Sequence, residues 1–437
     1  MTDRLSLTDG LRRLRAGVVT LAGRGTGGPH ELVQRVDEAD LLRILPLAGP
    51  ELPRALFGRR RLGLGTAWQR DGGELDAIDQ PGPFATRWLS LRFDPEGHPS
   101  DEWAPFGRLR LWTPRLECRP GELRLRLADA ADAAERGACR SLLESLLARA
   151  GAVERPLRGG AWRSIGLDER RRWKQRAEVA LQLLEGAGPT LEKIVLARRR
   201  ELALRDNPSS TALLRRLAGR ERGAWPWLLA WPGSGEFLGA TPEWLLKRRG
   251  ARLSCLSLAG TRARGASPSL DSCLGAELLA SEKDLREQAL VTDWLEERLG
   301  SLAVGKPVRQ GPELRRLATL QHLESRLEAR LPRGLGMAEL VRRLHPTPAL
   351  CGRPRAAARA WLRGHEEDDR GLYGGLLGLL EPGRAELRVA IRGALRRDDT
   401  LRVFAGAGFV KGSDPAREWE ETGLKLQALA SAWGVEA

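Results

Sequence analysis

Lysine is nearly missing from this sequence. Of 72 basic residues only Lys174, Lys193, Lys247, Lys283, Lys306, Lys411 and Lys425 are lysines, so the other 65 are arginine. These are interleaved with 57 acidic residues and gather in no basic block. Nucleic-acid binding through charge needs clustered cations with a recognition motif or an aromatic platform. Neither is present, so no nucleic-acid partner is expected despite a net charge of +15. The arginine excess reads as a compositional background, and a lysine kept against it is a candidate for chemistry. Cysteine is also scarce: Cys118, Cys139, Cys255, Cys273 and Cys351 are odd in number, dispersed and without a CxxC pair. That excludes a disulfide framework and a structural zinc site. The five histidines form no HxxxH or HExxH spacing, which argues against a zinc enzyme. No apolar run approaches 18 residues and residues 1–30 hold no apolar core of a signal peptide, so neither a membrane span nor export is expected. The expected location is cytoplasmic.

What is present is an ordinary globular pattern, 42% apolar. LRAGVVTLAG (14–23), RWLSLRF (87–93), GRLRLWTP (107–114) and GELRLRLAD (121–129) alternate with the period of half-buried strands. Further strands are expected at 194–204, 225–232, across 237–261, and in LYGGLLGLLE, AELRVAIRGALRR and LRVFAGAGFV. Helical periodicity covers about 129–150, 168–188, 209–220, 274–300, 337–344, 353–363 and 414–434. Strands in runs, with no Ser/Gly-rich linker, predict an α+β protein with large antiparallel sheets and one body over 1–437. Within it, 1–150 is a strand-rich N-terminal part and 168–434 the remaining core.

Two acidic pairs lie three residues apart on helices, Asp284 with Glu287 and Glu418 with Glu421, so each pair shares a helix face. They read either as solvated faces or as hard oxygen ligands suited to Mg²⁺. Lys193 opens an apolar strand in LEKIVLAR, a place for a snorkelling side chain or for a base made weaker by desolvation. Glu243, in the turn ATPEW, is a turn residue or a partly buried general acid. LAGTRARG (258–265) and FAGAGFV (404–410) allow close backbone approach to an anion. Neither matches the phosphate-binding GxxxxGK[ST] pattern or a dinucleotide fingerprint, which excludes ATP and NAD. Tyr373, the one tyrosine, and Arg392 could offer a hydroxyl and a planar fork to a carboxylate, or be packing residues. His322 and His345 are lone histidines.

The order of these blocks is more specific than any one of them. LEKIVLAR, FLGATPEWLL, LAGTRARG, SEKDLREQ, LQHLES, HPTPALCGRP, EEDDRGLYGG, AIRGA, FAGAGFVKGSDP and EWEETGLK follow one another as in the chorismate-utilising enzymes. The resemblance is close over about 190–430 and looser through GLGTAW and DEWAPFGRLRLWTPRLE. It implies that family's fold, a two-lobed β-sandwich core of large antiparallel sheets with helices packed outside. It also implies a catalytic core at 168–434 and Mg²⁺ as cofactor. The nucleophile follows from two positions. Isochorismate and salicylate synthases are similar to this chain in keeping a lysine at position 193, and aminodeoxychorismate synthases carry a nucleophilic lysine where Ala259 stands here. Water is therefore the expected nucleophile, and no glutaminase subunit is expected. HPTPALCGRP resembles the isochorismate synthase form of its block, with Cys351 the departure. The roles implied are base for Lys193 and acid for Glu243. Glu287 and Glu421 would be the main metal ligands, with Asp284 and Glu418 nearby. Thr261 and His322 would line the ring pocket. Tyr373, Arg392, Lys425 and the amides at Gly406 and Gly408 would hold the enolpyruvyl carboxylate. The resemblance thus implies isomerisation of chorismate to isochorismate by a monomer. Salicylate synthesis by a following pyruvate elimination is the runner-up, and an ammonia-using anthranilate-type synthase is third. Isochorismate feeds menaquinone-type quinones or catechol siderophores.

Overall fold

A computed structural model describes residues 6–21, 28–37, 44–45, 48, 52–72, 74–149, 160–162, 167–186, 191–205 and 208–435. Two antiparallel sheets organise them. The twelve-stranded sheet starts at the His30–Arg35 edge. It passes through Trp225–Trp231, Gly235–Thr241, Gly393–Arg397 and Thr400–Val410 to Lys193–Leu204 and the short Gly352–Arg353 strand. The nine-stranded sheet runs from Val308–Arg316 through Leu320–Arg330, Arg252–Ala263, Trp244–Arg249, Arg384–Val389 and Leu376–Glu381. It continues into Arg87–Leu91, Leu109–Thr113 and Trp68–Gly72. N-terminal strands therefore enter both sheets. Phe57 lies opposite Trp227 in the first and Leu89 opposite Gly378 in the second.

Alternation along the buried strands sorts side chains by chemistry as well as by face. In Trp225–Trp231, Trp227, Leu229 and Trp231 join Phe57, Trp88, Trp112, Phe237 and Phe404 in an aromatic layer between the sheets. Leu228 and Ala230 point the other way, onto the helices Leu7–Leu21, Ala133–Ala148, Ser210–Arg220 and Pro415–Ala432. The outer face of the nine-stranded sheet is covered by Glu282–Gly300 and Met337–Leu344, while Arg355–His365 packs on the Gly352–Arg353 and Lys193–Leu204 strands of the other sheet. Helices outside and sheets inside are the arrangement that the family resemblance implies.

The helices expected at 129–150, 168–188, 209–220, 337–344, 353–363 and 414–434 are present as Ala133–Ala148, Leu167–Glu185, Ser210–Arg220, Met337–Leu344, Arg355–His365 and Pro415–Ala432. Residues 150 and 187–188 lie outside the described residues. Three expectations need correction. LRAGVVTLAG is not a strand; up to Leu21 it belongs to the Leu7–Leu21 helix, and residues 22–23 lie outside the described residues. Leu11, Leu14 and Val18, spaced three and four apart, form that helix's buried face. The single helix expected at 274–300 is two, Pro268–Ala280 and Glu282–Gly300. Ser281 divides them because its hydroxyl caps the second helix, accepting from the Asp284 amide at 3.3 Å. AELRVAIRGALRR is also two strands, Arg384–Val389 and Gly393–Arg397, one in each sheet. The residues between them matter for the site.

Candidate active site

The chain passes between the two sheets several times, and two of these crossings meet at one pocket. Pro242 and Glu243 link Gly235–Thr241 to Trp244–Arg249, and Ala390–Arg392 link Arg384–Val389 to Gly393–Arg397. The crossings are tied together: the Val389 amide donates to the Glu243 carbonyl at 3.3 Å and the Ala240 amide to the Arg392 carbonyl at 3.0 Å. Arg392 has φ +59°, a left-handed conformation uncommon for a residue with a Cβ. The crossings thus fix a carboxyl and a guanidinium at the rim of a cavity of about 100 Å³. Clefts of about 420 and 890 Å³ elsewhere on the surface contain none of the candidate residues.

Glu243, Thr261, Glu287, His322, Tyr373, Arg392, Gly406, Gly408, Glu421 and Lys425 all line this cavity. Lys193 reaches it from beneath. Its fully buried ammonium passes under Gly408 and donates to Glu287 Oε1 at 2.9 Å. Gly408 is glycine for a local reason, since a Cβ there would lie 2.5 Å from Glu287 Oε1 and 2.9 Å from Lys193 Cε. At Gly406 a Cβ would crowd the Tyr373 hydroxyl at 3.2 Å. Lys425 donates to the Gly406 carbonyl at 2.8 Å and to Glu421 Oε1 at 2.7 Å. Glu418 is buried behind Glu421 and is paired with Lys283. Asp284 stands slightly apart, packed beside Gly260 and bound by Arg262 at 2.8 Å.

Burial sets the protonation of this pocket. Desolvation pushes the Glu243 carboxyl up to about 8, against the opposing charges of Lys193, Lys425 and Arg392. It therefore carries a proton at neutral pH. Desolvation, with Arg392 adding to it, pulls His322 down to about 3. The neutral ring accepts from Arg392 Nη2 on Nε2 at 2.7 Å, so Nδ1 carries the hydrogen and donates to the Gly260 carbonyl at 2.9 Å. Burial holds the Tyr373 phenol up at about 12, where it stays a donor, with its ring stacked on Phe404 at 5.2 Å. Burial and then Glu421 push Glu418 up to about 7, while Lys283 pulls the other way.

Whether these residues suit Mg²⁺ can be judged from the donor set. Glu287, Glu418 and Glu421 offer only carboxylate oxygens, the hard donors that Mg²⁺ takes, and each already has a cation against it in the form of a lysine ammonium. Among the described residues no three metal-ligating side chains converge on one point; each of these carboxylates is paired with its own lysine. The donor chemistry fits Mg²⁺.

Some residues the sequence left without a role also line the pocket: Val195, Leu258, Leu350, Ile391, Phe404 and Arg370. Arg370 had no signal to set it apart among 65 arginines. It donates to the Val195 carbonyl at 2.6 Å and the Leu350 carbonyl at 2.7 Å, bracing two walls. Cys351 does not line the cavity; its thiol is fully buried and faces the Arg355 carbonyl. His345, also outside it, is a buried core histidine that burial holds neutral.

A sandwich of two large antiparallel sheets, with a pocket of largely buried carboxyls, lysines and arginines at the strand crossings, describes an enzyme for a small anionic substrate. The sequence pattern of the chorismate binding enzymes matches residues 72–434, and the chain belongs to that family. It is 35% identical over 377 residues to the salicylate biosynthesis isochorismate synthase of Pseudomonas aeruginosa, covering 82% of this chain and 76% of that one. It is 37% identical over 250 residues to the isochorismate synthase EntC of Escherichia coli K12, covering 57% of this chain and 64% of EntC. Among solved structures, the menaquinone-specific isochorismate synthase MenF of Escherichia coli superposes with a TM-score of 0.81 at 26% identity, over 98% of this chain and 99% of that one. Anthranilate synthase component I of Streptococcus pneumoniae shares the fold at a TM-score of 0.65 and 16% identity, over 92% of each chain. Among the described residues no helix is long and apolar enough to cross a membrane.

Proposed function

We propose that this enzyme isomerises chorismate to isochorismate with Mg²⁺ as cofactor. Water adds at C2, the C4 hydroxyl leaves as water, and the double bonds shift between them, so the overall composition is unchanged. Lys193, as the free amine, takes the proton from the attacking water, and Glu243 delivers one to the departing hydroxyl. The observation that carries this reading is the buried, protonated Glu243 in a pocket that Lys193 reaches through its contact with Glu287. An acid and a base positioned apart let one displacement be pushed and pulled together. Ala259, at the pocket wall, has no nucleophile to offer and leaves water as the attacking group.

Glu287 and Glu421 would hold Mg²⁺, with Glu418 and Asp284 behind them, and the ion would supply positive charge to the ring carboxylate. The chain's own cations serve the second carboxylate. Arg392, oriented by His322, Lys425, held over Gly406, and the Tyr373 hydroxyl form a donor set for the enolpyruvyl group. Chorismate supplied with Mg²⁺ to the purified protein should yield isochorismate on chromatography. Abundant salicylate with pyruvate would replace this reading by a synthase that eliminates; a requirement for ammonium would replace it by an aminating one. The relatives named above support the first outcome.

A further inference from the structure

Three of the seven lysines stand against three of the four carboxylates assigned to the metal. Lys193 pairs with Glu287, Lys283 with Glu418 and Lys425 with Glu421, while Arg262 pairs with Asp284. Four carboxylates face four cations, so a divalent ion entering here competes with a cation already in place.

The three lysines are not equivalent. Lys193 is fully buried and reaches toward the proposed chemistry. Lys425 has a second anchor, the Gly406 carbonyl. Lys283 has Glu418 as its one hydrogen-bond partner among the described residues, and its side chain remains 34% exposed, with a path to solvent. Its position is also unfavourable in isolation. It is the second residue of the Glu282–Gly300 helix, just after the Ser281 cap, where the backbone amides favour anions over cations. Only the facing carboxylates offset that cost.

We infer that Lys283 is a built-in stand-in for the metal. Its ammonium holds Glu418 in place beside Glu421 in the metal-free protein, and swings to solvent when a divalent cation takes the carboxylate. This rests on the Mg²⁺ reading above and goes beyond it by assigning a positioning residue that competes with the cofactor.

The test is Mn²⁺ binding to the full chain followed by electron paramagnetic resonance, with no substrate present. Wild-type protein should bind Mn²⁺, and Glu421→Gln should weaken that binding. Lys283→Met should bind about tenfold more tightly, because a partly exposed competing charge has been removed. Lys283→Gln, which keeps a donor without the charge, should behave in the same way, and Lys283→Arg should stay within about threefold of wild type. In EDTA the Met variant should melt lower than wild type and gain more on Mn²⁺ addition, since three crowded carboxylates are left with two lysines. Unchanged or weaker Mn²⁺ binding in both neutral variants would overturn the competitor role while leaving the metal site intact. Absence of binding in wild type, or binding indifferent to Glu421→Gln, would overturn the metal assignment and this inference with it.

Discussion

The acid proposed for catalysis should destabilise the fold that holds it, and Glu243→Gln measures by how much. Burial raises this carboxyl from the ordinary 4.5 to about 8. A carboxyl whose folded value lies above its unfolded value contributes stability below pH 4.5. That contribution is lost as pH rises through the window from about 4.5 to 8, because the unfolded chain ionises first. At pH 7 the folded state forgoes the ionisation that the unfolded chain enjoys over some 2.5 pH units, which is about 3 kcal/mol at 1.36 kcal/mol per unit. The loss approaches about 5 kcal/mol by pH 9 and then levels off. Glutamine keeps the shape and the neutral charge of the protonated acid, so the variant should escape the penalty. For a chain of this length, 3 kcal/mol corresponds to about 3 °C in melting temperature at pH 7, widening toward pH 9 and vanishing near pH 5. Differential scanning calorimetry across pH 5–9, beside a chromatographic isochorismate assay, reads both sides. The expected result is a more stable protein with most turnover lost. A variant that is no more stable at pH 9 than wild type would refute the burial argument; one that keeps its turnover would remove Glu243 from the chemistry.

Lys193→Ala should lose most turnover while divalent cations still bind, measured by product formation beside Mn²⁺ titration; retained turnover removes Lys193 as the base. Gly408→Ala should cost about 1–3 kcal/mol by overpacking and drop turnover about 100-fold through a displacement of roughly 1 Å at Glu287, since its Cβ would sit 2.5 Å from that carboxylate. An active, equally stable alanine variant would show that the Lys193–Glu287 pair has room to spare. Wild-type turnover should fall above pH 8 as Glu243 loses its proton; a rate flat to pH 9.5 contradicts its role as acid. Cys351→Ala should leave turnover within about twofold and cost about 1 kcal/mol of stability, because the thiol packs in the core away from the pocket. A large loss of turnover would put the thiol back in the site.

Legibility followed periodicity where it was strong. WPWLLAWP and IVLARRRELAL announced strands because β-branched and aromatic residues crowd a short run, and both are strands, Trp225–Trp231 and Lys193–Leu204. The Val308–Arg316 and Leu320–Arg330 hairpin went unannounced: from Leu320 through Ser325 consecutive residues are buried, so no alternation marks the strand that carries His322. LRAGVVTLAG misled because its short apolar run fits both periods, and packing of Leu11, Leu14 and Val18 decided for helix. The i,i+3 carboxylate pairs correctly placed Glu418 and Glu421 on one helix, yet could not say that Glu421 faces the cavity while Glu418 lies behind it.

The sequence by itself determined which residues could do chemistry. A lysine retained among 65 arginines, carboxylates three apart, and an ordered series of blocks are linear facts, and they mark the family. Only tertiary structure decided their electrical state. Glu243 and Arg392 come together because the chain changes sheets twice at adjacent points, and that crossing appears in sequence as an uninterrupted strand pattern. Burial then protonates Glu243 and leaves His322 neutral, and it sets each glutamate of the proposed metal site against one lysine. Desolvation depends on everything packed around a group from distant parts of the chain, so no local spacing can encode it.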